Sequence, residues 1–171
     1  MTTRYTVRIS KDEIGFCGAH FITYEGDQCE RIHGHNYRVS AEVAGPLDKN
    51  QYVFDFIALK DQLKAITGAL DHRMLVPTKS PLIRVEVGDS RVALRSDDEQ
   101  VTLLFENRKW SFPRDDCVLL PVENTTAELL AKFLGEQLRQ QLRSLHKWEP
   151  DSIRIELEES PGQSAMYEWR R

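Results

Sequence analysis

The sequence has few cysteines, no long apolar run and no excess of positive charge, and each absence excludes a class of protein. Three of its 171 residues are cysteine, an odd and small number that argues against a disulfide framework and fits a reducing compartment. No apolar run approaches the length of a transmembrane span, and the first residues carry no hydrophobic signal core. We therefore expect a cytoplasmic protein that does not bind a membrane.

The charge balance indicates neither a nucleic-acid-binding surface nor an acidic tail. The formal net charge is −4, with 40% hydrophobic and 29% charged residues, which is ordinary for a globular protein. There is no internal repeat and no low-complexity segment. The length allows a sizeable core, so we expect a single domain over residues 1–171.

The apolar periodicity predicts an α+β protein built on antiparallel sheet. Strands are predicted over residues 4–11, 13–24, 35–44, 151–159 and 164–169, the last two joined by a turn at Pro161-Gly162. One helix is predicted from Asp55 as N-cap, with Phe56, Leu59, Leu63 and Ile66 at helical spacing. A second carries a stripe of Leu130, Phe133, Leu134, Leu138, Leu142 and Leu145.

The segment between the two helices has a different pattern. Over residues 81–113, apolar and polar residues alternate, and turn signals stand at Gly88-Asp89-Ser90, Asp97-Asp98 and Asn107. This pattern predicts an inserted β-meander of three or four short strands, with Val92 and Leu94 in one of them. Alternating apolar residues need burial, so the insertion is expected to pack rather than to form an open loop.

The histidines are unevenly distributed along the chain. Three of the five, His20, His33 and His35, fall within sixteen residues. His33 and His35 stand at i and i+2 in a predicted strand and therefore point to the same face. With His20 from a neighbouring strand they would make a nitrogen-only site with an open coordination position, which is typical of catalytic zinc. His146 stands near a helix C-terminus, where the helix dipole explains it.

Cys29 lies four residues before His33, and its role depends on the backbone between them. If that segment is extended, the sulfur could be a fourth zinc ligand and make the site structural. Alternatively, the thiolate is unligated, its pKa lowered by the cation, and acts as a base. Cys17 faces away from His20 in an alternating strand, and Cys117, beside apolar residues, is interpreted as a buried small residue.

Several motifs, taken in order, resemble one known family. They are Phe16-Cys17-Gly18-Ala19-His20, Cys29-x-x-x-His33-Gly34-His35-Asn36, Asp55-Phe56, Leu70-Asp71-His72 and the late Glu159. This set resembles the 6-pyruvoyltetrahydropterin synthase and 6-carboxytetrahydropterin synthase family over the whole chain apart from the meander. The resemblance implies a tunnelling fold, an antiparallel four-stranded sheet with two helices on one face. It also implies a homo-oligomer, commonly a hexamer of two trimers with active sites at subunit interfaces.

The resemblance also implies a role for each matching residue. His20, His33 and His35 would hold zinc, Cys29 would be the catalytic cysteine, and Asp71 and His72 would form the proton-transfer pair. Glu159 would anchor the pterin, with Thr126 and Glu128 helping to hold it. The implied substrate is 7,8-dihydroneopterin triphosphate, converted to a 6-carboxy- or 6-pyruvoyl-tetrahydropterin.

Three of these roles have a competing structural explanation. Thr125-x-x-Glu128 is also a helix capping box, which explains Glu128 by helix initiation alone. Asp71 and His72 could be a helix-ending surface pair, because adjacent residues rarely face each other on a regular helix. Their pairing therefore needs a turn or loop.

Glu30 adds a second signature to the cysteine motif. Some relatives use a glutamate three residues before His-Gly-His and release 6-hydroxymethyl-7,8-dihydropterin. Here Cys29-x-x-x-His33 and Glu30-x-x-His33 overlap, which resembles a dual-motif subgroup linked to queuosine-type and folate-type chemistry. Alternatively, Glu30 is a solvated charge, because successive strand residues point to opposite faces. Only a loop or bulge would let both side chains reach one substrate.

Two other functions are compatible with the same residues. A non-catalytic, zinc-stabilised binding or assembly protein would use Cys29 to close the coordination sphere. Another tunnelling-fold enzyme, such as a cyclohydrolase, would act on a different purine-related substrate.

Overall fold

The computed structural model describes residues 4–88 and 99–171. The elements follow in the order β1 (Tyr5–His20), β2 (Thr23–Tyr24), β3 (Gln28–Cys29), β4 (His33–Gly45), α1 (Phe56–Gly68), β5 (Arg73–Pro77), β6 (Arg84–Val87), β7 (Gln100–Phe105), β8 (Arg108–Pro113), a 3₁₀ helix (Arg114–Asp116), β9 (Cys117–Leu120), α2 (Ala127–His146), β10 (Ser152–Ser160) and β11 (Gln163–Arg170). No helix in these two ranges is long and apolar enough to cross a membrane. The chain divides into two compact units, and β1 and β4 contribute residues to both.

The first unit contains both helices. It comprises the chain up to Phe16, Asn36–Asp71 and Ala127–Arg171, with strands in the order β11-β10-β4-β1. Strand β10 is antiparallel to both of its neighbours, and α2 packs against β10, β11 and α1. The closing hairpin turns at Gly162, whose φ of 81° suits glycine. The predicted strands 151–159 and 164–169 are thereby confirmed.

The predicted helix faces are largely confirmed. Asp55 caps α1, its carboxylate accepting from the amide of Ala58 at 2.8 Å. The core face of α1 is formed by the buried Leu59, Leu63 and Ile66, and that of α2 by Leu130, Leu134, Leu138 and Leu142. The end members of the two predicted stripes differ: Phe56 and Leu145 are exposed, because they stand in the terminal turns.

The second unit contains the predicted meander and a core of its own. It comprises Cys17–His35 and His72–Thr126. Strands β6, β7 and β8 form an antiparallel three-stranded sheet, and β2 pairs with β3. The core cluster contains Phe21, Met74, Val76, Ile83, Val101, Leu103, Phe105 and Cys117. The part of the predicted meander that contains Val92, Leu94 and Asp97-Asp98 lies outside the described residues.

The prediction of a four-stranded antiparallel sheet is corrected by two further strands. The sheet runs β11-β10-β4-β1-β5-β9, and β5 is parallel both to β1 and to β9. The sheet is therefore mixed. Met74-Leu75-Val76 in β5 and Val118-Leu119-Leu120 in β9 are continuous apolar runs, which lack the alternation by which a half-exposed strand is recognised.

The first two predicted strands are also corrected. Residues 4–11 and 13–24 were expected as separate strands, but β1 continues from Tyr5 to His20. The polar residues around Asp12 include neither glycine nor proline, and the backbone remains extended through them. The continuity of β1 places His20 at the end of a long, well-anchored strand.

Candidate functional site

Three histidines converge in the second unit, as predicted. His20 is the last residue of β1, and His33 and His35 lie at the start of β4. Their ligand nitrogens all lie within 4.8 Å of one another, and the ring centroids of His20 lie 4.7 Å from His33 and 5.3 Å from His35. His20 is buried, His35 is half-buried and His33 is exposed, so the cluster is open on one side.

Two backbone carbonyls orient this cluster. Nδ1 of His20 lies 2.9 Å from the carbonyl oxygen of Thr125, and Nδ1 of His33 lies 2.9 Å from that of Arg31. A carbonyl oxygen can only accept, so each Nδ1 must carry the proton and donate it. The lone pair of each of these two imidazoles is then on Nε2, which leaves that atom available as a metal ligand.

The donor set fits a zinc ion. Three neutral imidazoles suit zinc better than calcium or magnesium, which prefer oxygen ligands, and small side-chain rotations would bring three nitrogens this close onto one ion. Within the part of the chain that the structure describes, these histidines form the one group of three or more potential ligands close enough to share an ion. Neither Cys29 nor His146 belongs to that group, and His146 packs edge-on against Phe54.

The loop geometry that Glu30 requires is present. Strand β3 ends at Cys29, and residues 30–32 are irregular before β4 begins. The Glu30 carboxylate lies 3.9 Å from Nε2 of His33 and accepts from the amide of Ile22 at 3.2 Å. The Glu30 amide donates to the carbonyl of Ile22 at 3.0 Å. The side chain is therefore held beside the cluster by a local network.

Cys29 is half-buried against the core of the same unit. Burial raises the pKa of its thiol; the Arg108 guanidinium opposes this and the Glu30 carboxylate adds to it. This environment therefore favours the protonated thiol. A role as base therefore requires an additional positive charge nearby, of the kind that a bound cation supplies.

Asp71 and His72 occupy a turn between α1 and β5 rather than a helix. His72 has a φ of 56°, an uncommon value for a residue other than glycine, and its amide donates to the carbonyl of Cys17 at 2.7 Å. The turn that a pairing of the two side chains requires is therefore present, while the exposed His72 just after α1 also fits a helix-ending surface pair. His72 belongs to the second unit and Asp71 to the first.

The remaining predicted residues are distributed over the two units. Glu159, near the end of β10, accepts a hydrogen bond from the hydroxyl of Tyr37 at 3.4 Å within the first unit. Glu128 stands in the first turn of α2. Thr126 directly precedes that helix and ends the second unit.

The predicted capping box does not form with Thr125 as the cap. Helix α2 begins at Ala127, two residues later, and Thr125 is fully buried with its hydroxyl donating to the carbonyl of Phe21 at 3.0 Å. Thr125 thus holds the end of β1 and, through its carbonyl, the ring of His20. Sequence reasoning could not find this role, because a backbone carbonyl carries no residue signature.

Two further supporting side chains were missed. The Asn124 amide donates to the carbonyl of Thr23 at 2.8 Å and accepts from the amide of Thr23 at 3.3 Å. Arg108, from the meander, donates to the carbonyls of Cys29 and Glu30. A lone arginine in a predicted strand gives no signal of such a contact.

Comparisons with known proteins identify relatives of this chain. The profile of 6-pyruvoyl tetrahydropterin synthase matches residues 8–170. The chain is 32% identical to a putative 6-carboxy-5,6,7,8-tetrahydropterin synthase of Pyrococcus horikoshii over 94% of this chain and 90% of that protein. It is 30% identical to one of Methanocaldococcus jannaschii over 89% and 88%.

A solved structure has the same fold as this chain. The chain superposes on Plasmodium falciparum 6-pyruvoyl tetrahydropterin synthase with a TM-score of 0.85 and 29% identity, covering 99% of this chain and 100% of that one. The profile match and the relatives in the two archaea extend over nearly the whole sequence, including the histidines and the segment before them. The chain therefore belongs to the 6-pyruvoyl tetrahydropterin synthase family.

Proposed function

We propose that this protein is a zinc-dependent pterin synthase that converts 7,8-dihydroneopterin triphosphate to 6-carboxy- or 6-pyruvoyl-tetrahydropterin. The observation that carries the proposal is the open cluster of three histidines, whose ligand nitrogens lie within 4.8 Å of one another. When bound there, zinc would act as a Lewis acid on the oxygen atoms of the substrate side chain and make the neighbouring protons more acidic.

The protein's own residues would bind the substrate and move these protons. Cys29, beside the cluster in sequence and half-buried, would accept a proton from the substrate side chain as thiolate. His72 would carry a second proton and Asp71 would stabilise its charged form. Glu159 would bind the pterin ring, because two carboxylate oxygens can accept from a ring N–H and the adjacent amino group together. Thr126 and Glu128 would assist at the ring.

The proximity of Glu30 to His33 supports a second product. A carboxylate 3.9 Å from the imidazole Nε2 of His33 would exchange a proton with a ligand bound at the open position. We infer that Glu30 directs cleavage of the side chain to 6-hydroxymethyl-7,8-dihydropterin, while Cys29 directs the synthase reaction. The exclusion of Cys29 from the histidine cluster argues against a closed, structural zinc site and hence against a purely binding protein.

Product analysis tests these roles. Zinc-loaded wild type, Cys29→Ala and Glu30→Gln would be incubated with 7,8-dihydroneopterin triphosphate and the pterins separated by liquid chromatography and mass spectrometry. We expect Cys29→Ala to lower formation of the carboxy or pyruvoyl product by about 10²- to 10⁴-fold. Glu30→Gln should selectively lower formation of the hydroxymethyl product.

Cys17→Ala is the matched control, since Cys17 is a second half-buried cysteine without an assigned role. It should retain the wild-type product pattern. If zinc-loaded wild type leaves the substrate unchanged, the proposed reaction is wrong. Turnover of a different purine-related substrate instead would indicate a cyclohydrolase-like enzyme.

We also propose that the protein assembles as a homo-oligomer, a hexamer of two trimers with active sites between subunits. Strand β11 is an outer strand of the sheet, and an edge strand presents unpaired backbone groups that can extend a sheet into a second copy. Light scattering coupled to gel filtration should give six times the mass of the chain. A monomer would contradict this assembly.

A further inference from the structure

The meander contacts the segment that contains both candidate catalytic side chains. Arg108, the first residue of β8, donates from Nη1 to the carbonyl oxygen of Cys29 at 2.7 Å and from Nη2 to that of Glu30 at 3.0 Å. Two donors of one planar guanidinium thus bind two consecutive carbonyls. This contact fixes the peptide planes on both sides of the Glu30 Cα atom.

Arg108 is itself held in place. Its guanidinium carbon lies 4.6 Å from the ring centroid of Trp110, a distance at which a cation interacts favourably with an aromatic face. The Trp110 ring stacks on Phe21, with centroids 4.6 Å apart, and Phe21 belongs to the core of this unit. The chain of contacts therefore runs from the core to the backbone of Cys29 and Glu30.

Glu30 in the same segment is also hydrogen-bonded to Ile22, just beyond the strand that ends in His20. The amide of Glu30 donates to the carbonyl of Ile22 at 3.0 Å, and the carboxylate of Glu30 accepts from the amide of Ile22 at 3.2 Å. Ile22 lies two residues beyond His20. Arg108 and Ile22 together thus fix the backbone of residues 29–30 next to the end of the strand that carries His20.

We propose that Arg108 is a positioning residue, through which the β-meander holds Cys29 and Glu30 at the histidine cluster. A lysine cannot replace it, because an ammonium group lacks the planar fork that binds two carbonyls and stacks on an indole. The meander is then part of the active-site architecture rather than a peripheral addition. The effect of Arg108 on turnover rests on the proposed function, whereas its effect on the backbone does not.

Hydrogen exchange and kinetics on zinc-loaded protein test this role. The variants are Arg108→Ala and Arg108→Lys, with Lys109→Ala as control, because Lys109 is the next residue of β8 and is exposed. We expect faster amide exchange in the peptide spanning residues 22–31 in both Arg108 variants and wild-type exchange in Lys109→Ala. Zinc content should remain at the wild-type level, since the guanidinium of Arg108 binds the carbonyls of Cys29 and Glu30, which are not among the candidate ligands.

The kinetic expectation separates positioning from general destabilisation. Misplacement of reacting groups by a fraction of an ångström to an ångström lowers the rate of the chemical step, so kcat should fall by about 10- to 100-fold while KM changes by less than about threefold. Arg108→Lys keeps the charge and should show the same direction of change. If Arg108→Ala does not fold, the exchange and kinetics of Arg108→Lys alone test whether Arg108 positions the segment.

Three outcomes would overturn the proposal. Wild-type exchange over residues 22–31 in Arg108→Lys would show that the paired contact does not hold the segment. Faster exchange with an unchanged kcat would show that the segment's position does not matter to the reaction. Loss of zinc in Arg108→Lys would indicate a general structural role. If wild type itself has no turnover, the proposed function fails, and the exchange comparison still decides whether Arg108 holds the segment.

Discussion

At the residue scale, the candidate metal site depends on backbone atoms as much as on imidazoles. The carbonyls of Thr125 and Arg31 each bind an Nδ1 atom and so select the tautomer that presents Nε2 to an ion. The side chains of these two residues have no part in this contact. A histidine motif therefore predicts the ligands, but the ligand atom of each is set by folding.

The buried thiol of Cys117 gives a prediction at the same scale. Burial raises its pKa from 9.0 to about 11, with Asp116 adding to the shift and Arg114 opposing it. The unfolded chain therefore loses this proton at lower pH than the folded protein. The stability that comes from keeping the thiol protonated is complete below pH 9 and is lost as the pH rises toward 11.

We therefore expect the free energy of unfolding of wild type to fall more steeply between pH 9 and 11 than that of Cys117→Ala. Urea denaturation at several pH values in this window would measure the two slopes. Val76→Ala, in the same core cluster, is the control, because it removes buried volume without removing a titrating group. Equal slopes for wild type and Cys117→Ala would contradict the assignment.

At the scale of elements, the close approach of β1 and β4 leaves no room for a side chain at position 15. A Cβ atom on Gly15 in β1 would collide with the carbonyl oxygen of Tyr37 in β4. The Cβ position is fixed by the backbone of residue 15 and the oxygen belongs to the backbone of Tyr37, so rotating a side chain cannot relieve the collision. Glycine is thus required where these two strands meet in the first unit.

Gly15→Ala should consequently lower the free energy of unfolding by about 1–3 kcal/mol, the usual cost of overpacking. Gly68→Ala is the matched control: Gly68 ends α1 and has no atom within 4 Å of an added Cβ. That change should be neutral or stabilising by up to about 1 kcal/mol, because alanine favours helix. Guanidinium denaturation measures both, and a Gly15→Ala variant as stable as wild type would be inconsistent with the strand spacing.

At the scale of the whole molecule, metal binding and stability are linked. Binding to the folded state alone stabilises it, by about 2.7 kcal/mol at a zinc concentration of 100 Kd. For a chain of this length the corresponding rise in Tm is roughly 5–10 °C. Thermal denaturation of chelator-treated protein, with and without added zinc, measures this rise in Tm.

His35→Ala should abolish this rise in Tm and the bound zinc, because it removes one of the three candidate ligands. His146→Ala should retain both, since His146 packs on Phe54 instead. Elemental analysis of the two variants gives the metal content directly. A normal zinc content in His35→Ala would place the metal elsewhere.

The sequence determined the elements whose pattern is local. The alternation of Tyr37, Val39, Ala41 and Val43 predicts β4, and the leucine stripe predicts α2. The Cys29-to-His35 run supplies two of the three candidate ligands, His20 supplies the third, and these motifs carry the family resemblance. Side-chain period and ligand chemistry depend on neighbours in the chain, so these features are visible without a fold. Strands β5 and β9 were not visible, because burial on both faces removes the alternation.

The tertiary structure alone decided how the site is supported. It placed the Thr125 carbonyl behind His20, the Glu30 carboxylate beside His33 and the Arg108 guanidinium on the backbone of Cys29 and Glu30. Arg108 and Thr125 stand 79 and 105 residues from the groups they bind. Contacts between such distant residues arise only when burial of apolar faces brings their strands together, and no local pattern records them.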